Sequence, residues 1–275
     1  MKKKIIFFTC VVVILIAWVV CDFFAAVNTK QPVLQDLTPL FEKTTFTEEE
    51  YKLIFEQTGL GRGAVDALRT QEDFAKELQA FQNQKQKPLR YKQSFMFFPT
   101  TTAEILKDEQ DNARYLTLPP LKAGDILITK STKTLLYRHG HAGLVLEPNW
   151  STIESLMIGS PSERLSIDNW LSYPTLLVLR PKDMSEEDCR KVTEYARAHL
   201  LGVPYDLLTG ILKKDKSALE SIDGTQCAHL IWQAYYKAGL DLDADKGWLV
   251  TPYDIAKSPH LEIVFSYGFG EEGTW

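Results

Sequence analysis

Apolar and polar positions divide the chain into three textures. Behind Lys2, Lys3 and Lys4, an apolar run extends from Ile5 to Val20; Asp22 interrupts it and Phe23 to Val27 resumes it. From residue 28 to about 115 the period is helical. Thr47-Glu48-Glu49-Glu50 has the form of a capping box, with Tyr51, Ile54 and Phe55 at helical spacing behind it. Thr70 is placed to cap a second helix that carries Phe74, Leu78 and Phe81 on one face. From Leu116 the texture becomes β-like. Short runs at 125–130, 142–146, 152–156 and 176–179 predict strands. Helices follow at 185–201, with Val192, Tyr195, Ala196 and His199 in phase, and at 226–238, closed by Gly239. A last strand is expected at 261–265. Strands followed by helices predict an α+β domain with an antiparallel sheet packed on helices.

The first texture sets the expected location. A secretory apolar core is about 7–15 residues and a spanning helix needs about 20, so this run sits at the long end of the first class. No clean small-x-small cleavage site follows, and Trp18-Val19-Val20 before Cys21 is too bulky for a lipoprotein signal. The expectation is an uncleaved signal anchor over 1–27, with the lysines cytoplasmic and the remainder exported; secretion after cleavage is the alternative. Residues 28–115 then form a small helical region, and 116–275 the catalytic domain.

Composition narrows the chemistry. A net charge of −5 provides no basic field for nucleic acid. Cys10 and Cys21 lie in or beside the apolar run, which leaves Cys189 and Cys227; two cysteines do not make a disulfide framework. Cys189 opens a capped helix and reads as an incidental thiol. Gly59-Leu60-Gly61-Arg62-Gly63 has no strand before it, so it reads as a turn between helices rather than a phosphate loop.

Cys227 is the candidate nucleophile. With Thr225 as expected N-cap it falls in the first turn of its helix, where the dipole and unpaired N–H groups favour a thiolate. The plain alternative is a small buried hydrophobe. A nucleophile needs a base. His229 is about 200° round the helix from Cys227, His199 reads as packing, and His260 precedes the last strand. His141 enters a strand through the small residues Ala142 and Gly143. With the next turn centred between Glu147 and Pro148, Glu154 falls directly opposite His141 on the same sheet face, placed to orient the imidazole; Glu147 is the second choice. His139 and His141 also have the spacing of two metal ligands on a strand, but no further ligand motif accompanies them, so no metal or cofactor is expected.

Gly124-Asp125-Ile126-Leu127, His141-Ala142-Gly143-Leu144-Val145, Ile153-Glu154, Gly202-Val203-Pro204-Tyr205-Asp206 and Cys227-Ala228-His229-Leu230-Ile231 occur in an order that resembles the permuted papain-like enzymes of the NlpC/P60 superfamily, in particular the YaeF/YiiX-type amidases related to cell-wall hydrolases. The segments around Trp170, at 176–181 and at 251–255 also fit, and the resemblance spans about 116–265. It implies a permuted papain-like fold, Cys227 as nucleophile, His141 as base, Glu154 as orienting residue and Tyr205 in the site wall. Ala228 and Gln226 depart from the pattern, which commonly has a small hydroxyl residue after the cysteine and an aromatic before it. Gln226 and the backbone N–H of Cys227 are the candidate oxyanion donors. The implied activity is hydrolysis of an amide or ester through a thioacyl-enzyme, with peptide or acyl-amide substrates, cell-wall peptide among them. Acyl transfer of the lecithin–retinol acyltransferase-like type and an anchored, non-catalytic binding module are the alternatives.

Overall fold

The computed structural model describes residues 30–97, 101–134, 137–147, 151–207 and 223–270, with the isolated positions 9, 11–13, 15, 16, 27 and 209. The anchor expected over 1–27 and the turn residues Pro148, Asn149 and Trp150 lie outside them or nearly so. Among the described residues, no helix is long and apolar enough to cross a membrane.

The architecture is α+β. A six-stranded sheet runs in the order β10 (Leu261–Tyr267), β9 (Leu176–Pro181), β3 (Ile126–Thr129), β6 (His141–Glu147), β7 (Ser151–Glu154) and β8 (Glu163–Ser166). Each neighbouring pair is antiparallel. The central strands are apolar at successive positions because both faces are covered. Leu127, Val145, Leu176 and Val178 face one core, which is filled from α1 (Glu48–Thr58), α2 (Arg62–Arg69) and α3 (Phe74–Gln86) by Ile54, Val65, Leu78 and Phe81. Ile126, Ile128, Leu144, Leu177 and Leu179 face the other, beneath α5 (Glu186–His199) and α6 (Cys227–Lys237). The N-terminal helices thus close one face of the sheet and share its core. Removing that apolar surface from water, at roughly 25 cal/mol per Å², drives the contact.

Several local expectations hold. Thr47 and Glu50 form a complete capping box on α1, Ser185 caps α5 by accepting from the Asp188 N–H, and Gly239 follows the end of α6 at φ +88°. Others do not. Thr70 ends α2 instead of starting α3; its hydroxyl donates to Ala67 O at 2.8 Å, and Asp73 stands at the start of α3. The region 28–115 is only partly helical. Strands β1 (Arg90–Phe97) and β2 (Thr101–Lys107) form a hairpin that joins β4 (Thr132–Thr134) and β5 (Tyr137–Arg138) in a second, four-stranded sheet. The polar opening of β1, Arg90-Tyr91-Lys92-Gln93-Ser94, hid this hairpin, whose β2 side turns Ala103 and Leu106 into the core. Glu104 and Arg138, both buried, pair bidentately across the small sheet at 2.9 and 2.7 Å.

Candidate active site

Strand β6 carries His141 at its first position, after Gly140 turns the chain at φ +71°. His139, on the other side of that turn, is committed elsewhere: Nε2 lies 2.9 Å from Thr134 Oγ1 and Nδ1 lies 2.6 Å from Gly140 O. Burial pushes its pKa down. The two histidines therefore do not converge as the spacing alone suggested.

Glu154 ends β7, but it is not directly opposite His141. The ladder runs Leu144↔Ile153 and Val145↔Thr152, then shifts at a bulge before Glu147↔Ser151. The next rung places Glu154 across from Gly143, two residues further along β6 than the expected register. An offset of two preserves the face. The carboxylate reaches diagonally, and His141 Nε2 sits 2.6 Å from Glu154 Oε2. Both side chains are buried.

Gly143 makes room for this arrangement. A β-carbon there would lie 2.8 Å from Trp170 Cζ2 and 3.2 Å from Glu154 Cγ. Trp170, from the short helix α4 (Asp168–Leu171), is fully buried in that space. Its indole stacks on the His141 ring with centroids 5.3 Å apart and planes within 16°. Its Nε1–H donates to Glu154 Oε1 at 2.7 Å. The same oxygen accepts from the Thr152 hydroxyl. Tyr173 meets the indole edge-on at 5.6 Å, and burial together with the Glu154 charge holds its hydroxyl in the neutral form. Sequence reasoning passed over Trp170 and Thr152 as site residues. Trp170 comes from a different element than Glu154 and has no spacing signature, whereas Thr152 stands two residues before Glu154 on β7, a same-face spacing that the sequence did contain.

Cys227 opens α6 and packs in the second core with its thiol largely buried. The N-cap is Gln226, one residue later than expected. Its Oε1 accepts from the Ala228 N–H at 2.9 Å, and its Nε2 donates to Val250 O at 2.5 Å. Gln226 is therefore a helix cap tied to the 250 segment, and this commitment weakens it as an oxyanion donor. The Cys227 N–H, at the first helical position, has no intrahelical acceptor and remains the better candidate. Thr225 is held back by a parallel bridge to Tyr205, by its N–H to Pro204 O at 2.9 Å, and by its hydroxyl 3.0 Å from His229 Nδ1. His229 is thereby kept on the side away from the thiol.

Cys227 lies close enough to the His141 ring to act on its charge, and its thiol donates to Gln226 Oε1 at 3.5 Å. Burial opposes charge on that ring. The interactions with Cys227 and Glu154, with the charge of both partners, outweigh it and raise the His141 pKa from 6.5 to about 10. The imidazolium is the favoured form between two acidic groups. Tyr205 is half-buried beside them; burial and then the Cys227 charge raise its pKa, and its N–H bonds Ser160 O at 3.2 Å. Glu147, the second choice as orienting group, is bound instead to Arg164 and, at 3.3 Å, to Arg197. Cys227, His141, Glu154 and Tyr205 thus meet, with Trp170 and Thr152 added.

No family model matches the chain, and no curated protein matches it. Among solved structures it is similar to the crystal structure of metalloprotein yiiX from Escherichia coli O157:H7 (DUF1105), with a TM-score of 0.39 and 18% identity, over 53% of this chain and 97% of that one.

Proposed function

We propose that this chain is a membrane-anchored, extracytoplasmic cysteine hydrolase of the permuted papain-like type, acting on amide or ester carbonyls of peptide-like substrates, with cell-wall peptide as the leading class. The observation that carries this reading is the unbroken series from the Cys227 thiol through the His141 ring to the Glu154 carboxylate. The order of motifs along the chain supports the family and the substrate class. The apolar run behind three lysines supports the anchor.

Glu154 occupies Nε2 of His141, which leaves Nδ1 to serve the thiol. In the imidazolium form Nδ1 already holds the proton given up by Cys227, so that the reactive pair is an imidazolium and a thiolate at the mouth of α6, where the helix dipole favours negative charge. The sulfur attacks the substrate carbonyl carbon, and the oxyanion is met by the Cys227 N–H. Collapse breaks the C–N or C–O bond while the imidazolium proton goes to the leaving group. The neutral imidazole then takes a proton from water, which attacks the thioester and returns the thiol.

Cys227→Ala removes the nucleophile and leaves a side chain that the buried site accommodates. Turnover of a peptide amide should fall by at least about three orders of magnitude with the fold retained. A variant that is folded and fully active would end the proposal. Product analysis with and without an amine or lipid acceptor separates hydrolysis from acyl transfer.

A further inference from the structure

A cavity of about 430 Å³ lies where the segment 30–35 crosses between α1, the end of α3 and the end of β10, and none of its lining residues belongs to the thiol site. Lys30, Lys52, Lys85 and Lys87 line it, and Glu56 is the one carboxylate among its lining residues. Lys85 is half-buried with its ammonium 5.5 Å from the Phe55 ring centroid, and it forms no ion pair among the described residues. Burial pushes its pKa down to about 8, with Glu56 opposing. A partly desolvated ammonium beside an open cavity, with three more lysines around the rim, is stabilised by an incoming anion.

The rim is built before any ligand arrives. Gln57 Oε1 accepts from the Gln35 N–H at 3.1 Å and Gln57 Nε2 donates to Val33 O at 2.9 Å. Gln82 Nε2 donates to Gln35 O and Gln31 Nε2 to Gln86 O, each at 2.7 Å. These amides hold the segment across the helices while its apolar side chains stay outside. Val33 is 85% exposed and Leu34 66%. They follow closely on Val27, where the apolar run ends. Two exposed apolar residues beside a cluster of lysines, next to a hydrophobic run, form the pattern of a surface resting on a bilayer.

From this we infer that the cavity binds the phosphate of an anionic phospholipid headgroup, with Val33 and Leu34 entering the acyl boundary beside it. The phosphate would sit among Lys30, Lys52, Lys85 and Lys87. Val33 and Leu34 favour a lipid over a soluble phosphate ester, which gives them nothing to cover. The inference rests on the anchored reading above, and not on the thiol chemistry.

The full-length chain in nanodiscs tests it. Acetylation of each lysine is followed by peptide mass spectrometry in phosphatidylcholine discs with and without phosphatidylglycerol. Lys85 should be labelled about fivefold more slowly with phosphatidylglycerol, the size expected for one lysine at an anionic surface. Lys246, exposed and outside the cavity, should be unchanged. The exposed Lys52→Gln and Lys87→Gln variants should each reduce the protection, which keeps the test independent of any folding defect at Lys85. Unchanged Lys85 labelling overturns the inference. So does equal slowing at Lys246, which marks a diffuse surface effect. Equal protection by inorganic phosphate in phosphatidylcholine discs overturns the lipid source in favour of a soluble anion. Loss of the protein from the discs would instead refute the anchor.

Discussion

The indole Nε1–H of Trp170 donates to Glu154 Oε1 while the same indole stacks on His141. One side chain thus holds the orienting carboxylate and the ring that it orients. The Thr152 hydroxyl also takes Oε1, which leaves Oε2 to His141 Nε2. A buried carboxylate with each oxygen assigned in this way cannot rotate without losing a hydrogen bond in low dielectric, which fixes the imidazole in turn.

Trp170→Phe keeps most of the stacking surface and deletes the donor. Stability should fall by about 1–3 kcal/mol, the cost of a buried charged acceptor losing one partner. Activity should fall about tenfold in kcat with KM little changed, because the loss concerns orientation of the base rather than substrate contact. Denaturant titration and steady-state kinetics read the two effects separately.

Gly143→Ala places a methyl 2.8 Å from Trp170 Cζ2 and 3.2 Å from Glu154 Cγ. Neither ring nor carboxylate has room to yield in the packed core. Overpacking of this kind costs about 1–3 kcal/mol. The variant should melt lower and turn over more slowly, with the intrinsic fluorescence of the buried indole altered. A variant with wild-type stability and rate would show that the site is looser than the geometry indicates.

The His141 pKa is raised from 6.5 to about 10, so the native state binds a proton that the unfolded chain releases earlier. The associated stability is fully present below about pH 6.5 and is lost as pH rises through about 10. Between these limits the unfolding free energy should decline by at least ~1 kcal/mol. Glu154→Gln removes one of the groups that raise the pKa and should move the decline to lower pH. Histidine-selective NMR follows the His141 titration directly, and an ordinary midpoint near 6.5 in the wild type would contradict the expectation.

Gln226→Ala removes the cap of α6 and leaves Val250 O without its donor. The cap alone costs about 1 kcal/mol, and the buried carbonyl adds to it. Loosening of the first turn should also slow alkylation of Cys227 near neutral pH, since the thiolate loses an ordered helix end. Thermal melts and thiol-labelling rates measure the two consequences.

Much of the architecture was legible along the chain. The unbroken runs at 126–129 and 176–179 mark strands covered on both faces, the helical spacing in α1, α3, α5 and α6 is a period of 3.6, and each is written in neighbouring residues. Cys227 and His141 stood out by their position at the start of an element, a local property. The hairpin of β1 and β2 escaped because residues 90–94 carry no apolar alternation. Thr225 was mistaken for the cap because its residue type suits one. A backbone bridge to Tyr205 and a bond to His229 claim it, and both arise only after distant segments have packed.

Residue types and spacing were sufficient for strand, helix and candidate nucleophile, since each depends on φ/ψ preference and on which side of a short segment is apolar. The register between β6 and β7 and the arrival of Trp170 beside Gly143 depended on long-range packing. Past the bulge near Glu147 the ladder leaves Glu154 two residues from its expected partner and on the same face, beside the indole from α4. Such choices are made by the volume left between layers, and no single stretch of chain contains that volume.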